Sequence, residues 1–165
     1  MRVKVHAIVV HEDRMVLARE RHRGVERLAL PGSRVHDRES ITRALTRGVS
    51  EATRLKVDPV RLLYIAEIPG LYAANDLHLV WLAEPRDGDA EIPEHLLVDL
   101  RCEPPASLNP PILNEILADF EAGWPLTPRW LSTAEPGNGR VVPLRGSAGI
   151  LSLAGEPTLE ARESS

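Results

Sequence analysis

Cysteine, lysine and aromatic residues are scarce in this chain of 165 residues. The single cysteine, Cys102, excludes an intramolecular disulfide and any zinc cluster built from the cysteines of one chain. Because disulfides persist in oxidising compartments, a chain without one is typical of a reducing compartment, and we expect a cytoplasmic protein. Aromatic residues make up only 4% of the chain, which argues against a platform on which nucleic acid bases stack.

Long hydrophobic runs are also missing. No apolar run approaches the ~18 residues that a membrane span requires, so we expect no membrane partner. The charged start of the chain is not followed by a long apolar stretch, which predicts no secretory signal. The net charge of -4 at pH 7 argues against nonspecific binding to a nucleic acid backbone. Eighteen of the 20 basic residues are arginine, which indicates either phosphate clamps or a bias of the coding sequence.

The rest of the composition is that of an ordinary globular protein, with 43% hydrophobic and 27% charged residues. The length predicts one domain with a tail, which we place at residues 1–130 and 131–165, the second part being rich in proline, glycine and serine. Runs of β-branched and apolar residues predict strands. These strands are expected at residues 3–10, 15–18, 60–68 and 76–83.

Apolar residues spaced three and four apart predict one amphipathic helix over residues 40–55. Glycine in a helix costs about 1 kcal/mol relative to alanine, so we expect another backbone to approach Gly48 closely. The dipeptide Asp58-Pro59 is expected to end this element. Residues 111–122 predict a second helix with a proline in its first turn.

Three other segments have simpler predictions. The charged residues 19–27 predict a solvated loop, and residues 94–100 predict a short strand or helix. Beyond Trp130 we expect irregular structure, with local pairing or packing at Val141-Val142 and Ile150-Leu151.

A motif spans the start of the first helix. Residues 30–40 have the sequence LPGSRVHDRES, and residues 47–55 have the sequence RGVSEATRL. Together they resemble the Nudix box, which is glycine, five residues, glutamate, seven residues and then Arg-Glu-U-x-Glu-Glu-x-Gly-U, where U is aliphatic. Glu39 precedes Arg47 by the spacing that this pattern requires. The resemblance covers about residues 3–100. It implies an α/β fold, a Nudix-like α/β/α sandwich with a mixed sheet, here followed by a C-terminal helix and an irregular Pro/Gly-rich tail.

The resemblance also implies a chemistry. In Nudix hydrolases, carboxylates of this segment hold divalent metal ions that bridge a diphosphate and activate a water molecule, so that a nucleoside diphosphate linked to another group is cleaved. By position, Glu51 and Glu39 are the candidate metal ligands. Arg47 is the candidate that holds a carboxylate in place, and the three together are the candidate catalytic residues. The implied cofactor is Mg²⁺ or Mn²⁺, weakly held, and no organic cofactor is expected.

Four positions depart from the box. Ser33 replaces the first glycine, Gly48 and Ala52 replace two glutamates, and Arg54 replaces the last glycine. Each lost carboxylate removes a ligand and a negative charge, so binding of Mg²⁺ is expected to be much weaker. We therefore expect a divergent member whose hydrolysis of nucleoside diphosphate compounds is weak or lost. Its cleft would bind a small-molecule ligand, with or without a phosphate group, or serve altered chemistry. In this hypothesis Gly48 and Ala52 leave room for a larger ligand.

One alternative is an active phosphoanhydride hydrolase with a rebuilt metal site. A carboxylate outside the box would then join Glu39 and Glu51, and the candidates are Glu67 and Asp76, the latter beside His78. His36 and Asp37 in the box loop are further candidates, although histidine suits Zn²⁺ better than Mg²⁺. The same residues have plainer interpretations as exposed loop and strand-end groups.

Several further hypotheses stay open. Arg47 and Glu51 could be an ordinary helix ion pair, and Glu39 could simply favour the positive end of the helix. A regulatory or RNA-binding module on the same fold is the least favoured function, because the chain is acidic and poor in aromatics. Trp124 and Trp130, with Tyr72, could line an apolar pocket. His6 in the first strand is expected to be a packed or edge residue. The resemblance allows a homodimer, although no segment reads as an interface.

Overall fold

The computed structural model describes residues 1–69, 74–88, 91–133 and 141–143. These residues form twelve strands, two α-helices and one short 3-10 turn over Glu94–Leu96. The helices are α1 (Ile41–Thr53) and α2 (Leu113–Ala122). The strands are β1 (Arg2–Ile8), β2 (Val10–His11), β3 (Arg14–Val16), β4 (Ala18–His22), β5 (Val25–Ala29), β6 (Gly32–Arg34), β7 (Val57–Pro69), β8 (Asn75–Pro85), β9 (Leu97–Val98), β10 (Leu108–Asn109), β11 (Arg129–Thr133) and β12 (Val141–Pro143). Neither helix in the described ranges has the length and apolar character needed to cross a membrane.

The main sheet has six strands in the order β12-β11-β7-β8-β1-β6. It is mixed, because β1 is parallel to β8 and β11 is parallel to β7, whereas the other neighbours are antiparallel. Two small sheets, β10-β5-β4 and β2-β3-β9, accompany it. Apolar residues of α1 pack on one face of the main sheet and those of α2 on the other. The structure therefore confirms the predicted α/β/α sandwich.

The alternation of side chains along β1 assigns its two faces. Val5 and Ala7 are fully buried in the cluster that contains Leu45 of α1, whereas Ile8 belongs to the cluster that contains Ile116 of α2. Burial of these two clusters stabilises both faces of the sheet. The even-numbered polar residues near the start of β1 therefore lie on the face away from α1.

Helix α1 confirms the predicted helix, and both of its ends have local causes. The Ser40 hydroxyl accepts a hydrogen bond from the backbone N–H of Arg43 at 3.3 Å, which satisfies one of the free N–H groups of the first turn. The helix ends at Arg54, whose backbone is left-handed with φ 66° and whose N–H donates to the carbonyl of Ser50. The prediction that Asp58-Pro59 ends this element is wrong, since both residues lie in β7. A register irregularity between Pro59 and Arg61 accommodates the proline there.

The predicted loop over residues 19–27 is wrong, because these residues form most of a β-hairpin of β4 and β5. The sign of the charge alternates along both strands of the hairpin. Opposite charges therefore pair across it, with Glu20 opposite Arg27 and Arg21 opposite Glu26. Arg23 and Gly24, both with positive φ, make the turn between the strands.

The C-terminal part differs from the prediction in detail. Helix α2 begins at Leu113 after the N-cap Ile112, so Pro111 precedes the helix and does not lie in its first turn. The segment 94–100 contains both a turn and a strand, as β9 follows the 3-10 turn. Residue 130, where the sequence places the end of the domain, lies inside strand β11. Val141-Val142 belong to β12, which pairs with β11. Ile150-Leu151 lie outside the described residues.

Candidate functional site

Arg47 joins the box loop to helix α1. Its Nε donates to Oε1 of Glu39 at 2.8 Å, and its Nη2 donates to Oε2 of the same carboxylate at 2.9 Å. Nη2 also donates to the carbonyl oxygen of Arg34 at 2.9 Å. Such a forked pair is the strongest common geometry between an arginine and a carboxylate. The pair thus fastens the loop before the helix to the middle of the helix.

Both oxygens of Glu39 are engaged in this arrangement. The backbone N–H of His36 donates to Oε2 at 3.0 Å, in addition to the two bonds from Arg47. The side chain is 9% exposed. The hydrogen bonds from Arg47, then that from the His36 backbone, lower the pKa of Glu39 from 4.5 to about 2. Glu39 is therefore ionised, and both of its carboxylate oxygens already accept hydrogen bonds from Arg47. This arrangement leaves it poorly placed to bind a cation.

Glu51 lies on the outer face of α1 and is 64% exposed. Its Oε2 accepts a hydrogen bond from Nη1 of Arg47 at 3.2 Å, four residues earlier in the helix. Pairs of this spacing on a solvated helix contribute about 0.3–0.5 kcal/mol. The structure thus brings together all three sequence-predicted site residues, Glu39, Arg47 and Glu51, but as an ion-pair cluster centred on the arginine.

Gly48 lies where α1 meets β6. A Cβ atom added at Gly48 would be 2.5 Å from the carbonyl carbon of Gly32 and 2.6 Å from Cβ and N of Ser33. The predicted close approach of another backbone is therefore confirmed. The expectation that Gly48 leaves room for a ligand is wrong, because the backbone and side chain of β6 fill that space. A glutamate could not occupy this position without moving the helix away from the sheet.

Arg54 adopts a left-handed conformation at the position of the last box glycine. We expect Arg54→Gly to raise the free energy of unfolding by about 0.5–1 kcal/mol, because only glycine adopts positive φ without a steric cost. Arg43→Gly, inside the same helix, is the control and should lower it by about 1 kcal/mol. Urea titration of both variants measures the two effects, and a loss of stability in Arg54→Gly would contradict the assignment.

A hard divalent cation sets strict requirements for the side chains that hold it. Mg²⁺ requires oxygen ligands in a nearly octahedral arrangement and gives up its water molecules reluctantly. Across residues 1–69, 74–88, 91–133 and 141–143, no three His, Cys, Asp or Glu side chains are grouped so that they could hold a metal ion. Of the box carboxylates, Glu39 is held by Arg47 on both oxygens, and Glu51 is an exposed group that pairs with the same arginine. The residues present do not fit a metal cage of the Nudix type.

The structure places the other acidic candidates away from such a cage. Oε1 of Glu67 accepts a hydrogen bond from the Asn75 amide at 2.8 Å on an exposed strand end. His36 and Asp37 are exposed in the box loop. Asp76 is buried in ion pairs with two basic residues of β1, and His78 lies beside it. None of them joins Glu51 in a metal-binding group within the described part of the chain.

A cleft of about 430 Å³ opens on the face of the sheet away from α1. Its volume falls within the usual range of about 300–1,000 Å³ for small-molecule sites. The lining of the cleft combines basic and other polar side chains with apolar ones. The polar lining consists of Arg2, Lys4, His22, Arg27, Asp76, His78 and Asn109, and the apolar lining of Ile68, Pro69, Leu108 and Pro111.

Three ion pairs order the basic side chains of this cleft. Arg2 Nε and Lys4 Nζ contact opposite oxygens of the Asp76 carboxylate, at 2.8 and 3.0 Å. The hydrogen bonds from these two residues lower the pKa of Asp76, although burial acts in the opposite direction and is the largest single influence. Arg27 Nε donates to Oε1 of Glu20, which also accepts from the Asn109 amide at 2.8 Å. The cations that line the cleft are therefore held in fixed positions.

His6 and His78 form a stacked pair beneath the cleft. Their rings are 5.0 Å apart with an interplanar angle of 7°, and Nε2 of His6 lies 2.9 Å from Nδ1 of His78. Both rings are nearly fully buried. Burial lowers the pKa of His6 to about 4. Burial, with the nearby His6 and Lys4, lowers that of His78 to about 3, so both rings are neutral at neutral pH.

Sequence reasoning missed this cleft as a unit. It named Asp76 and His78 singly, expected His6 to be packed, and gave Arg2, Lys4 and Arg27 no role. The available signal was the alternation of polar residues along two strands, at positions 2, 4 and 6 and at positions 76 and 78. The parallel register that places Lys4 beside His78 could not be inferred from that alternation.

The tryptophans that the sequence suggests for an apolar pocket are not among the residues that line this cleft. Trp124 packs edge-on against Phe120, with ring centroids 5.9 Å apart. Trp130 lies in β11 and is 39% exposed. Tyr72, the third expected member, lies outside the described residues.

Comparisons with known proteins identify the fold. No model of a protein family and no curated protein matches the chain. Among solved structures, a Nudix hydrolase from Nitrosomonas europaea is 24% identical with a TM-score of 0.58, the match covering 76% of this chain and 93% of that one. An ADP-ribose pyrophosphatase from Streptococcus suis is 19% identical with a TM-score of 0.55, covering 80% and 98%. A MutT protein from Bacillus halodurans is 18% identical with a TM-score of 0.56, covering 86% and 95%. The chain therefore has the Nudix fold.

Proposed function

We propose that this chain is a divergent member of the Nudix superfamily in which metal-dependent hydrolysis of nucleoside diphosphate compounds is weak or lost, and whose cleft binds a small-molecule ligand. The fold supports the link to pyrophosphate hydrolases, and the three most relevant box residues survive at their spacing. The presence of a single cysteine supports a reducing, cytoplasmic location, where phosphorylated metabolites are available as ligands.

One observation carries the proposal. The glutamate position after Arg47 is a glycine wedged against Gly32 and Ser33, so the structure has no space for a carboxylate there. The neighbouring carboxylates do not replace it, because Glu39 is bound on both oxygens and Glu51 is an exposed group paired with Arg47. Since the chemistry of the fold relies on metal ions held by several carboxylates, too few ligands remain.

The proposal is tested with a panel of diphosphate substrates. Nucleotide sugars, dinucleoside polyphosphates and nucleoside triphosphates are incubated with the protein in Mg²⁺, in Mn²⁺ and in a chelator. We expect no chelator-sensitive release of product, while an active diphosphatase of the same fold cleaves its substrate under identical conditions.

Chelator-sensitive turnover at a rate comparable to that of the active diphosphatase would overturn the proposal in favour of a rebuilt hydrolase site. The variant Glu51→Gln then identifies the site. Turnover abolished by that variant assigns Glu51 to the reaction, whereas unchanged turnover removes Glu51 from the mechanism and moves the search to other carboxylates. Arg43→Gln on the same helix is the control, since this substitution removes one surface charge and the Arg43 side chain makes no hydrogen bond or ion pair with another described residue.

A further inference from the structure

We propose that the cleft lined by Arg2, Lys4, Arg27 and His78 is a binding site for a phosphate monoester of a hydroxylated small molecule, such as a sugar phosphate. This inference rests on the proposed function and names the ligand class of its cleft. Basic side chains would hold the phosphate, and the histidine would accept a hydrogen bond from a hydroxyl group.

The charge of the lining favours an anion. Three cationic side chains, Arg2, Lys4 and Arg27, face the cleft with one carboxylate, Asp76. Glu20 pairs with Arg27, so three cations stand against two carboxylates and an excess of one positive charge remains. Arg2 directs Nε and Nη2 at Asp76, and Arg27 directs Nε at Glu20. The other N–H groups of these guanidiniums and of the Lys4 ammonium are the donors left for phosphate oxygens. A phosphate monoester carries nearly two negative charges at neutral pH and is attracted by this excess.

Hydrogen-bond chemistry determines which nitrogen of each histidine carries a proton. Nδ1 of His6 lies 3.4 Å from the carbonyl oxygen of Leu30, which can only accept, so this nitrogen is the donor. Nε2 of His6 is then unprotonated and accepts a hydrogen bond from Nδ1–H of His78 at 2.9 Å. Consequently Nε2 of His78 is also unprotonated, and no described residue donates a hydrogen bond to it.

His78 therefore offers a bare acceptor at the wall of a basic cleft. An anionic oxygen is not a partner for such a nitrogen, because both have lone pairs and no proton to share. A hydroxyl group is a suitable partner, since it can donate to the nitrogen. A ligand with a phosphate for the cations and a hydroxyl for His78 satisfies both halves of the polar lining. The apolar residues of the lining, among them Ile68 and Leu108, would contact its carbon skeleton.

The test is equilibrium binding in the presence of a chelator, so that no metal-dependent cleavage contributes. Ribose 5-phosphate, inorganic phosphate and free ribose are titrated calorimetrically into the full chain. We expect ribose 5-phosphate to bind more tightly than inorganic phosphate, and free ribose to show no saturable binding. Lys4→Gln and Arg27→Gln should each weaken binding of both phosphates about tenfold or more, because each removes a charge-assisted hydrogen bond.

Two sets of variants separate the parts of the site. Arg21→Gln lies on the opposite face of the β4–β5 hairpin, removes the same charge as Arg27→Gln, and should leave the affinities unchanged. His78→Leu should abolish the preference for ribose 5-phosphate over inorganic phosphate. His78→Gln retains an acceptor and should preserve part of that preference, and thermal unfolding verifies that both variants fold.

The inference would be overturned if neither ribose 5-phosphate nor inorganic phosphate bound saturably. It would also be overturned if Arg21→Gln and Arg27→Gln weakened phosphate binding equally. A preference for ribose 5-phosphate that survives in His78→Leu would overturn the role of the histidine. These results are independent of the hydrolysis panel, because product release in Mg²⁺ or Mn²⁺ bears on the box residues alone. Hydrolysis with phosphate binding at the cleft would overturn the proposed loss of activity and leave this site in place.

Discussion

Gly48→Ala is expected to lower the free energy of unfolding by about 1–3 kcal/mol, the usual range for an overpacked core position. In an ordinary helix the same change stabilises by about 1 kcal/mol, since alanine has the higher helix propensity. Here the added Cβ would lie 2.5 Å from a backbone carbon of Gly32, and a backbone atom in a sheet cannot rotate away. Urea titration measures the loss, and Gly48→Glu should lose more than Gly48→Ala.

Gly88→Ala is the matched control for this prediction. A Cβ at Gly88 would meet no atom within 4 Å, and its backbone does not have positive φ. Its effect should therefore stay within about 0.5 kcal/mol. If Gly48→Ala were as stable as Gly88→Ala or more stable than the parent, the helix would not be wedged against β6. The position would then be open to a carboxylate.

Arg47→Gln is expected to destabilise the protein most strongly near neutral pH. Removal of the guanidinium leaves the carboxylate of Glu39, which is 9% exposed, without its forked partner. In the parent, the folded pKa of Glu39 is about 2, below its ordinary 4.5. The stabilisation from this pair is therefore complete above pH 4.5 and is lost as the pH falls through about 2. The variant lacks that contribution at every pH.

The difference in melting temperature between parent and Arg47→Gln should consequently be constant above pH 4.5 and narrow as the pH falls toward 2. Thermal unfolding over that pH range measures the difference. Arg43→Gln removes the same charge from the same helix and should behave like the parent. A pH-independent difference for Arg47→Gln would show that the ion pair with Glu39 is not its source.

The pattern of apolar residues was sufficient to predict helix α1 and several buried strands, whereas the α/β/α sandwich was implied by the resemblance to the Nudix box. Spacings of three and four specify one buried helix face, and runs of β-branched residues specify buried strands, because these features depend on local periodicity. The need for a close backbone contact at Gly48 also followed from the sequence, since an unfavourable residue in a regular helix requires compensation. The contact partner, Gly32 and Ser33 of β6, became known only with the fold.

The charged hairpin and the cleft could not be predicted in the same way. Residues 19–27 carry so many charges that composition favoured a loop, although cross-strand pairs such as Glu20 with Arg27 stabilise a hairpin. The His6–His78 contact joins residues 72 positions apart and depends on a parallel register, which no local pattern encodes. The tripartite cluster of Glu39, Arg47 and Glu51 was found by motif spacing, but its closure around the arginine depends on side-chain geometry.

The central claim is that the box region has too few free carboxylate oxygens to bind a hard cation. Titration of Mn²⁺ into the protein, with free Mn²⁺ followed by electron paramagnetic resonance, tests this claim directly. We predict that parent and Glu51→Gln leave the same amount of Mn²⁺ free throughout the titration. A stoichiometric Mn²⁺ site in the parent that Glu51→Gln eliminates would contradict the claim.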